Sequence, residues 1–450
     1  MPIEKCSKTM KRSALLALVV MAAVLGGCKT KPPEDPDLTQ RKKLFEQAAH
    51  ELPVMLEAAK EKGLFTLPKY KPIPASQNGA PLFKMAIAEH KELPALRSAL
   101  FLPTAKQADM ARELRSHAKE LDLLRKASHF PKADFGPMVD GWDMGREWVT
   151  GLGSGAHVLS LDARYRAVTG DKATALEDLK AIEQIAFDLK DDQRDFSQLI
   201  TAGTVESLNK CIQQIIDHFS DPNSARQLLE IVVKEPMPPG LKVALPHELA
   251  TVYPDISSDL YTKISNPESP VHDSFENVIA AIQGVPGESV RDGFRERLLE
   301  MFLHLSAAAS VPGFSIVKQM PMVQQASQPE EDGDPTHALN SAAFGDQWTT
   351  LLITTLSSMV RKEVTMVGLK ILAGHKGGGW PKALPTGTPL DPYTNTPLRY
   401  RSSSTGFIVY SILLGDNGGD LKDLGFRYPS GWEVESNKPP VKKVLGSRQP

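Results

Sequence analysis

Between Ala156 and Leu189 the chain carries helix-period apolar residues on both sides of Thr169-Gly170-Asp171. Val158, Leu159, Leu161, Tyr165 and Val168 precede the turn, and Ala175, Leu176, Leu179, Ile182, Ile185, Ala186 and Leu189 follow it. Steps of three and four place each set on one helix face. A three-residue link between two such helices makes an antiparallel αα-hairpin. Similar patterns run along much of the chain. Arg41–Lys62 reads as a helix stopped by Gly63, and Pro81–His90 and Gln107–Ala127 read as two more. Leu199–Phe219 and Ser224–Lys234 form a second candidate pair through Asp221-Pro222-Asn223, and Val271–Gln283 and Val290–Ala309 continue the series. Met301–Val317 is uncharged but holds Pro312 and Gly313, which fits a buried helix followed by a loop. No repeat near 34 residues is sustained, so residues 40–328 are expected to form an irregular helical bundle or a short α-solenoid.

With 450 residues, 41 % of them apolar, and a net charge of −2, the chain can bury a core and lacks the basic excess of a nucleic-acid protein. Three cysteines exclude a disulfide framework. Cys6 lies in the N-terminal segment, and Cys211, within the apolar pattern Val205–Phe219, reads as a small core residue.

Lys5, Lys8, Lys11 and Arg12 precede a 12-residue apolar run, Ala14–Leu25. A bilayer span needs about 20 such residues, whereas the h-region of a secretory signal needs ~7–15. The run ends in Leu25-Gly26-Gly27-Cys28, which resembles the bacterial lipobox. The resemblance implies cleavage before Cys28, which would carry diacylglycerol and usually an N-acyl chain, anchoring the protein to a lipid bilayer. The alternative is an ordinary secretory signal with an incidental cysteine. Lys29 rather than Asp at the next position points to the outer membrane over the inner. Loss of residues 1–27 removes four basic residues and one acidic residue and leaves a charge of −5. Residues 28–39, with Pro32, Pro33 and Pro36, read as a polar tether.

Residues 329–344, opening with Pro329-Glu330-Glu331-Asp332-Gly333-Asp334-Pro335, read as a linker, and Phe344–Ala373 as one long helix. Two short strands are expected at Leu398–Arg401 and Phe407–Ile412, and residues 433–450 read as a polar tail. Asp391-Pro392 is expected to start a turn, because proline fixes φ and the Asp carboxylate can accept from backbone N–H groups ahead of it. The strings Leu390-Asp391-Pro392-Tyr393, Pro397-Leu398-Arg399-Tyr400 and Gly406-Phe407-Ile408-Val409-Tyr410-Ser411, followed by a Gly/Asp loop, resemble the globular head of the type II secretion major pseudopilin. The same order resembles the C-terminal module of large envelope proteins of planctomycete-type bacteria. The resemblance spans about residues 345–432. It implies a small α+β module, a long helix with an antiparallel hairpin or meander, behind a mostly α body. In pseudopilins the acidic loop binds calcium, which implies Asp416 and Asp420 as ligands here; a plain solvated turn is the alternative. The prepilin leader and its hydrophobic N-terminal helix are replaced by the lipobox, so the chain is not expected to polymerise as a pseudopilin.

Catalytic motifs are sparse. His247-Glu248-Leu249-Ala250-Thr251 begins like a zincin helix, but Thr251 stands where the second histidine belongs. Gly151-Leu152-Gly153-Ser154-Gly155 is neither a nucleophile elbow nor a dinucleotide fingerprint, and reads as a flexible entry to the Ala156 helix. His90, His117, His129, His157 and His218 are scattered through helical stretches. Asp140, Trp142, Asp143 and Glu147 form a candidate pocket, since paired acids beside Trp can line a sugar site; acids at a helix N-terminus are the alternative. The reading that follows is a lipid-anchored envelope protein without catalytic residues, working through contacts with other envelope proteins. An accessory of a type II secretion or pilus-like machine and an envelope hydrolase are the alternatives.

Overall fold

The computed structural model describes residues 36–67, 71–90, 106–136, 146–192, 194–237, 240–256, 282, 284–310, 319, 321–323, 335–411 and 425–430. The described chain is mostly helical, with one small antiparallel sheet near its C-terminal end. The helices are α1 (Pro36–Glu61), α2 (Ala80–Glu89), α3 (Gln107–Ser116), α4 (Ala118–Ser128), α5 (Arg146–Thr169), α6 (Lys172–Leu189), α7 (Asp195–Ile215), α8 (Pro222–Lys234), α9 (Leu241–Asp255), α10 (Gly287–Ala309) and α11 (Pro335–Ala373). The strands are β1 (Arg399–Ser402), β2 (Phe407–Tyr410) and β3 (Gly425–Tyr428).

Helix ends follow local chemistry. Gly63 stops α1 at φ +72°, a conformation that costs a Cβ-bearing residue about 1–2 kcal/mol. Gly170 turns the α5–α6 hairpin at φ +88°, and the Asp171 carboxylate accepts from Thr174 N at 3.2 Å to cap α6. Asp221 caps α8 by accepting from Asn223 N at 3.1 Å and Ser224 N at 2.9 Å. α1 opens at Pro36, inside the stretch expected to be a tether, and α11 opens at Pro335, nine residues before the expected start.

Two expectations fail. Residues 151–155 are not a flexible entry; they are the second turn of α5, which begins at Arg146. Their glycines serve helix–helix contact. A Cβ on Gly151 would stand 2.6 Å from Ile87 Cγ2, one on Gly153 3.1 Å from Ile200, and one on Gly155 3.1 Å from Leu124. Small residues here let α2, α4 and α7 close on α5. Residues 107–127, expected as one helix, form α3 and α4 with His117 between them at φ −105°, ψ 8°. At that residue the backbone bond tightens to Leu114 O, three positions back. Val271–Gln283 and the linker residues 329–334 lie outside the described residues, apart from Ile282.

The hairpin of α5 and α6 packs on α7, and α11 lies across α7 and α8 before reaching the sheet. One apolar core runs through these elements, from Phe45 on α1, which meets Phe294 of α10 edge-on at 5.9 Å, to Trp348 of α11 against Phe302, and on to Phe407 and Phe426. The sheet has the order β1-β2-β3, with Arg401 opposite Ile408 and Val409 opposite Phe426. Three short strands are barely stable alone, and this sheet is seated on α11. Phe426 packs so closely that a Cβ on Gly368 would lie 2.0 Å from its ring. The outer edge of β3 is closed by a side chain: Gln213 of α7 donates to Arg427 O at 2.8 Å and accepts from Arg427 N at 2.7 Å. Asp217 adds bonds from Ser430 N at 2.9 Å and Ser430 Oγ at 2.6 Å.

Candidate functional site

Five polar sites stand out in this framework. The first joins α2 to the α3–α4 corner. α2 and α4 run antiparallel: Gly79 N at the start of α2 donates to Lys132 O beyond the end of α4 at 2.8 Å, and Glu89 at the other end pairs with Lys119 at 2.7 Å. A Cβ on Gly79 would sit 2.7 Å from Ala127 O, so this approach requires glycine. The register brings His90, which caps the C-terminus of α2, over Glu120 in the first turn of α4. His90 Nδ1 lies 2.7 Å from Glu120 Oε1, and His117 Nδ1 lies 2.6 Å from Glu120 Oε2. His117 Nε2 faces Glu113 Oε1 at 3.2 Å. One ligand atom from each of His90, His117 and Glu120 falls within 4.8 Å of the other two. The side chains of His117 and Glu120 are 1 % and 2 % exposed, while that of His90 is 16 % exposed. Burial pushes the Glu120 carboxyl up, but the bonds from His117 and His90 outweigh it and hold the group below its ordinary range. In the sequence the two histidines stand singly. Nothing in their spacing joins residues 27 positions apart, and only the register of α2 on α4 does so.

The second site is ionic, with its two acids buried and its arginines reaching toward the surface. Arg125 Nε donates to Asp178 Oδ1 at 2.7 Å, the same guanidinium pairs with Asp162, and Arg166 Nε approaches Asp162 at 3.3 Å. Asp162 and Asp178 are 1 % and 0 % exposed. Burial and then the Asp162 charge push the Asp178 carboxyl well up, against the pull of Arg125. Two acids without access to solvent can join helices but cannot meet a substrate.

A third site ties α7, α8 and α11. Asn209 Nδ2 bonds both carboxylate oxygens of Glu235 at 2.8 and 2.9 Å, and Lys362 donates to the Glu235 carbonyl. Burial pushes the Glu235 carboxyl up to about 8, with Asn209 pulling the other way.

The fourth lies at the C-terminal end and explains a motif. Asp391 is fully buried, its Oδ1 accepts from Tyr393 N at 3.0 Å, and Asn395 N donates to Asp391 O at 2.8 Å. The expected Asp-Pro turn is therefore present. Asp391 Oδ2 accepts from Ser411 Oγ at 2.6 Å, and Tyr393 Oη meets Ser357 Oγ of α11 at 2.9 Å. The Asp-Pro-aromatic and Tyr-Ser strings, twenty residues apart, are thus one hydrogen-bonded unit. Trp380 completes the module against Phe407 at 4.9 Å and Tyr428 at 5.3 Å.

The fifth surrounds the truncated zincin motif. Glu248 Oε1 accepts from Asp195 N at 3.2 Å, capping α7 from a neighbouring helix. Burial pushes the His247 imidazole down.

Of the residues singled out from sequence, Cys28, Asp140, Trp142, Asp143, Asp416 and Asp420 lie outside the described residues. Glu147 is exposed in the first turn of α5. Its neighbour Trp148 is half-buried, stacked on Phe135 at 3.8 Å with the Arg194 guanidinium 5.1 Å from its ring centre. Cys211 is buried, as expected, with its thiol pushed up to about 12 by burial. No protein-family model, curated protein or solved structure matches the chain.

Proposed function

We propose that the chain is a lipid-anchored protein of the bacterial cell envelope, without catalytic residues, that acts through protein–protein contacts. The string Leu25-Gly26-Gly27-Cys28 behind a short apolar run carries this reading. Cys28 would bear the lipid, and several acyl chains together hold a protein on a bilayer where one would not. Among the described residues no helix is long and apolar enough to cross a membrane, so the reading assigns membrane attachment to the N-terminus. The buried Asp391–Ser411 bond supports the likeness of the C-terminal module to a pseudopilin head, because it joins the strings on which that likeness rests. The module then serves as a recognition or packing unit carried at the end of α11.

Cells expressing the full chain and fed radiolabelled palmitate test the anchor. The wild-type chain should take up label and sediment with membranes, and Cys28→Ala should do neither. An unlabelled wild-type chain would remove the anchor. Cross-linking in intact cells followed by mass spectrometry tests the contacts. Recovery of secretion-machine subunits would make the chain an accessory of that machine, and an absence of specific neighbours would defeat the contact reading.

A further inference from the structure

We propose that His90, His117 and Glu120 form a binding site for one divalent transition-metal ion of the zinc class, with Glu113 as the outer carboxylate that orients His117. The donor set is two imidazoles and one carboxylate, drawn from the end of α2, the α3–α4 corner and the first turn of α4. Mixed nitrogen and oxygen donors suit zinc and its neighbours, whereas calcium and magnesium prefer oxygen alone.

His117 faces Glu120 through Nδ1 at 2.6 Å and Glu113 through Nε2 at 3.2 Å, and its side chain is 1 % exposed, so both ring nitrogens are committed inside the site. A bound metal ion would use this arrangement directly. Neutral His117 gives its Nδ1 lone pair to the ion and keeps Nε2–H for Glu113, the carboxylate–histidine–metal relay by which metal-binding histidines are commonly oriented. His90 gives its Nδ1 lone pair in the same way. Charge closes as well, since a dication is balanced by Glu120 and Glu113.

The geometry requires a small adjustment. Metal bonds of about 2.0–2.2 Å place tetrahedral donors about 3.3 Å apart. The two Nδ1–carboxylate separations are 2.7 and 2.6 Å. Opening them by roughly 0.7 Å lies within the reach of rotation about the Glu120 side-chain torsions. Three protein ligands leave a fourth position for water or a small ligand, and of the three residues His90 has the most exposed side chain, at 16 %.

The test uses the full-length chain purified in detergent, stripped with a chelator, and titrated with zinc against a chromophoric competitor. The wild-type chain should take up one equivalent and unfold at a higher temperature with zinc bound. Cobalt(II) should give the visible spectrum of a four-coordinate ion. Glu120→Gln and His90→Ala should lose that equivalent, and Glu113→Gln should keep it with affinity lowered about 10–100-fold. Circular dichroism checks that each variant is folded. If His90→Ala misfolds, the partly exposed Glu113 position carries the comparison. No stoichiometric zinc uptake by the wild-type chain would overturn the proposal. So would uptake unchanged in both His90→Ala and Glu113→Gln, which would place the zinc elsewhere on the chain. Calcium displacing zinc at equal concentration would overturn the donor assignment.

Discussion

Two glycines inside helices should respond in opposite directions to the same substitution. Gly203 lies inside α7 and Gly368 inside α11. Alanine is favoured over glycine in a helix interior by about 1 kcal/mol. A Cβ at Gly203 meets nothing within 4 Å, so Gly203→Ala should stabilise the chain by up to about 1 kcal/mol. A Cβ at Gly368 would stand 2.0 Å from Phe426 Cδ1 and 2.5 Å from Cε1. Carbon atoms pack at ~3.5–4.0 Å, so the ring must retreat by about 1.5 Å. Phe426 is 1 % exposed and belongs to the packed core with Phe407, whose ring centre lies 6.2 Å away, so its retreat must displace core neighbours. Expelling a buried phenylalanine costs about 3–5 kcal/mol. Set against the helix gain, Gly368→Ala should destabilise the C-terminal module by about 2–4 kcal/mol. Hydrogen exchange at residues 407–410 and 425–428 reads this locally, without assuming that a long chain unfolds in one step. Exchange there should accelerate in Gly368→Ala and stay unchanged in Gly203→Ala. Adding Phe426→Leu, which removes the ring edge, should recover part of the loss. A Gly368→Ala chain that is as protected as wild type, or more so, would refute the packing of β3 on α11.

Other expectations follow from buried charge. Arg125→Ala would leave Asp162 and Asp178 without their shared guanidinium and should cost about 3–5 kcal/mol in urea unfolding; adding Asp178→Ala should restore a part of it, and strict additivity would show that the three groups do not act together. Burial pushes the Glu235 carboxyl up to about 8, above the ordinary carboxyl value of 4.5. Its folded form therefore binds more protons, and the contribution of this group is full below pH 4.5 and declines as pH rises through 8. Glu235→Gln should flatten that part of the stability–pH profile, and an unchanged profile would place the titration elsewhere. Cys211, with its thiol pushed up to about 12, should resist iodoacetamide in the folded chain and react on unfolding; rapid labelling under native conditions would contradict its burial.

Much of the helical body was legible because its apolar spacing and its stops are local. Asp221 before Pro222 and Gly170 before Asp171 mark helix ends in any context, and both do so here. The readings that failed depend on distant partners. The glycines at 151, 153 and 155 look like a hinge when read alone, because glycine weakens a helix; Ile87, Ile200 and Leu124 supply the reason for them. The break at His117 shows in no propensity, since it coincides with a ring engaged by carboxylates at four residues before and three residues after. Strand β3 is four residues long, and its identity as a strand rests on pairing with β2 and on Gln213. The convergence of His90 on Glu120 is a matter of helix register, which composition does not encode. By contrast, the Asp391-Pro392 turn was readable because the residues that build it are the residues that name it.

The amide of Gln213 has a consequence for the order in which the chain assembles. It meets Arg427 across 214 residues and offers that residue one donor and one acceptor, as the main chain of a fourth strand would. Among the described residues the sheet therefore has one edge sealed by a helix, while at the other edge β1 pairs with no further strand and carries Arg399 and Arg401, charges of the kind that discourage pairing with a stranger. Contacts so distant along the chain form late, after shorter loops have closed. A chain emerging from its N-terminus places α7 long before β3 exists, and the edge cannot be sealed until the last described strand arrives. Completion of the sheet thus reports that the middle of the molecule is already in place, and a chain cut short before Gly425 would keep its helices while leaving β2 as an unguarded edge.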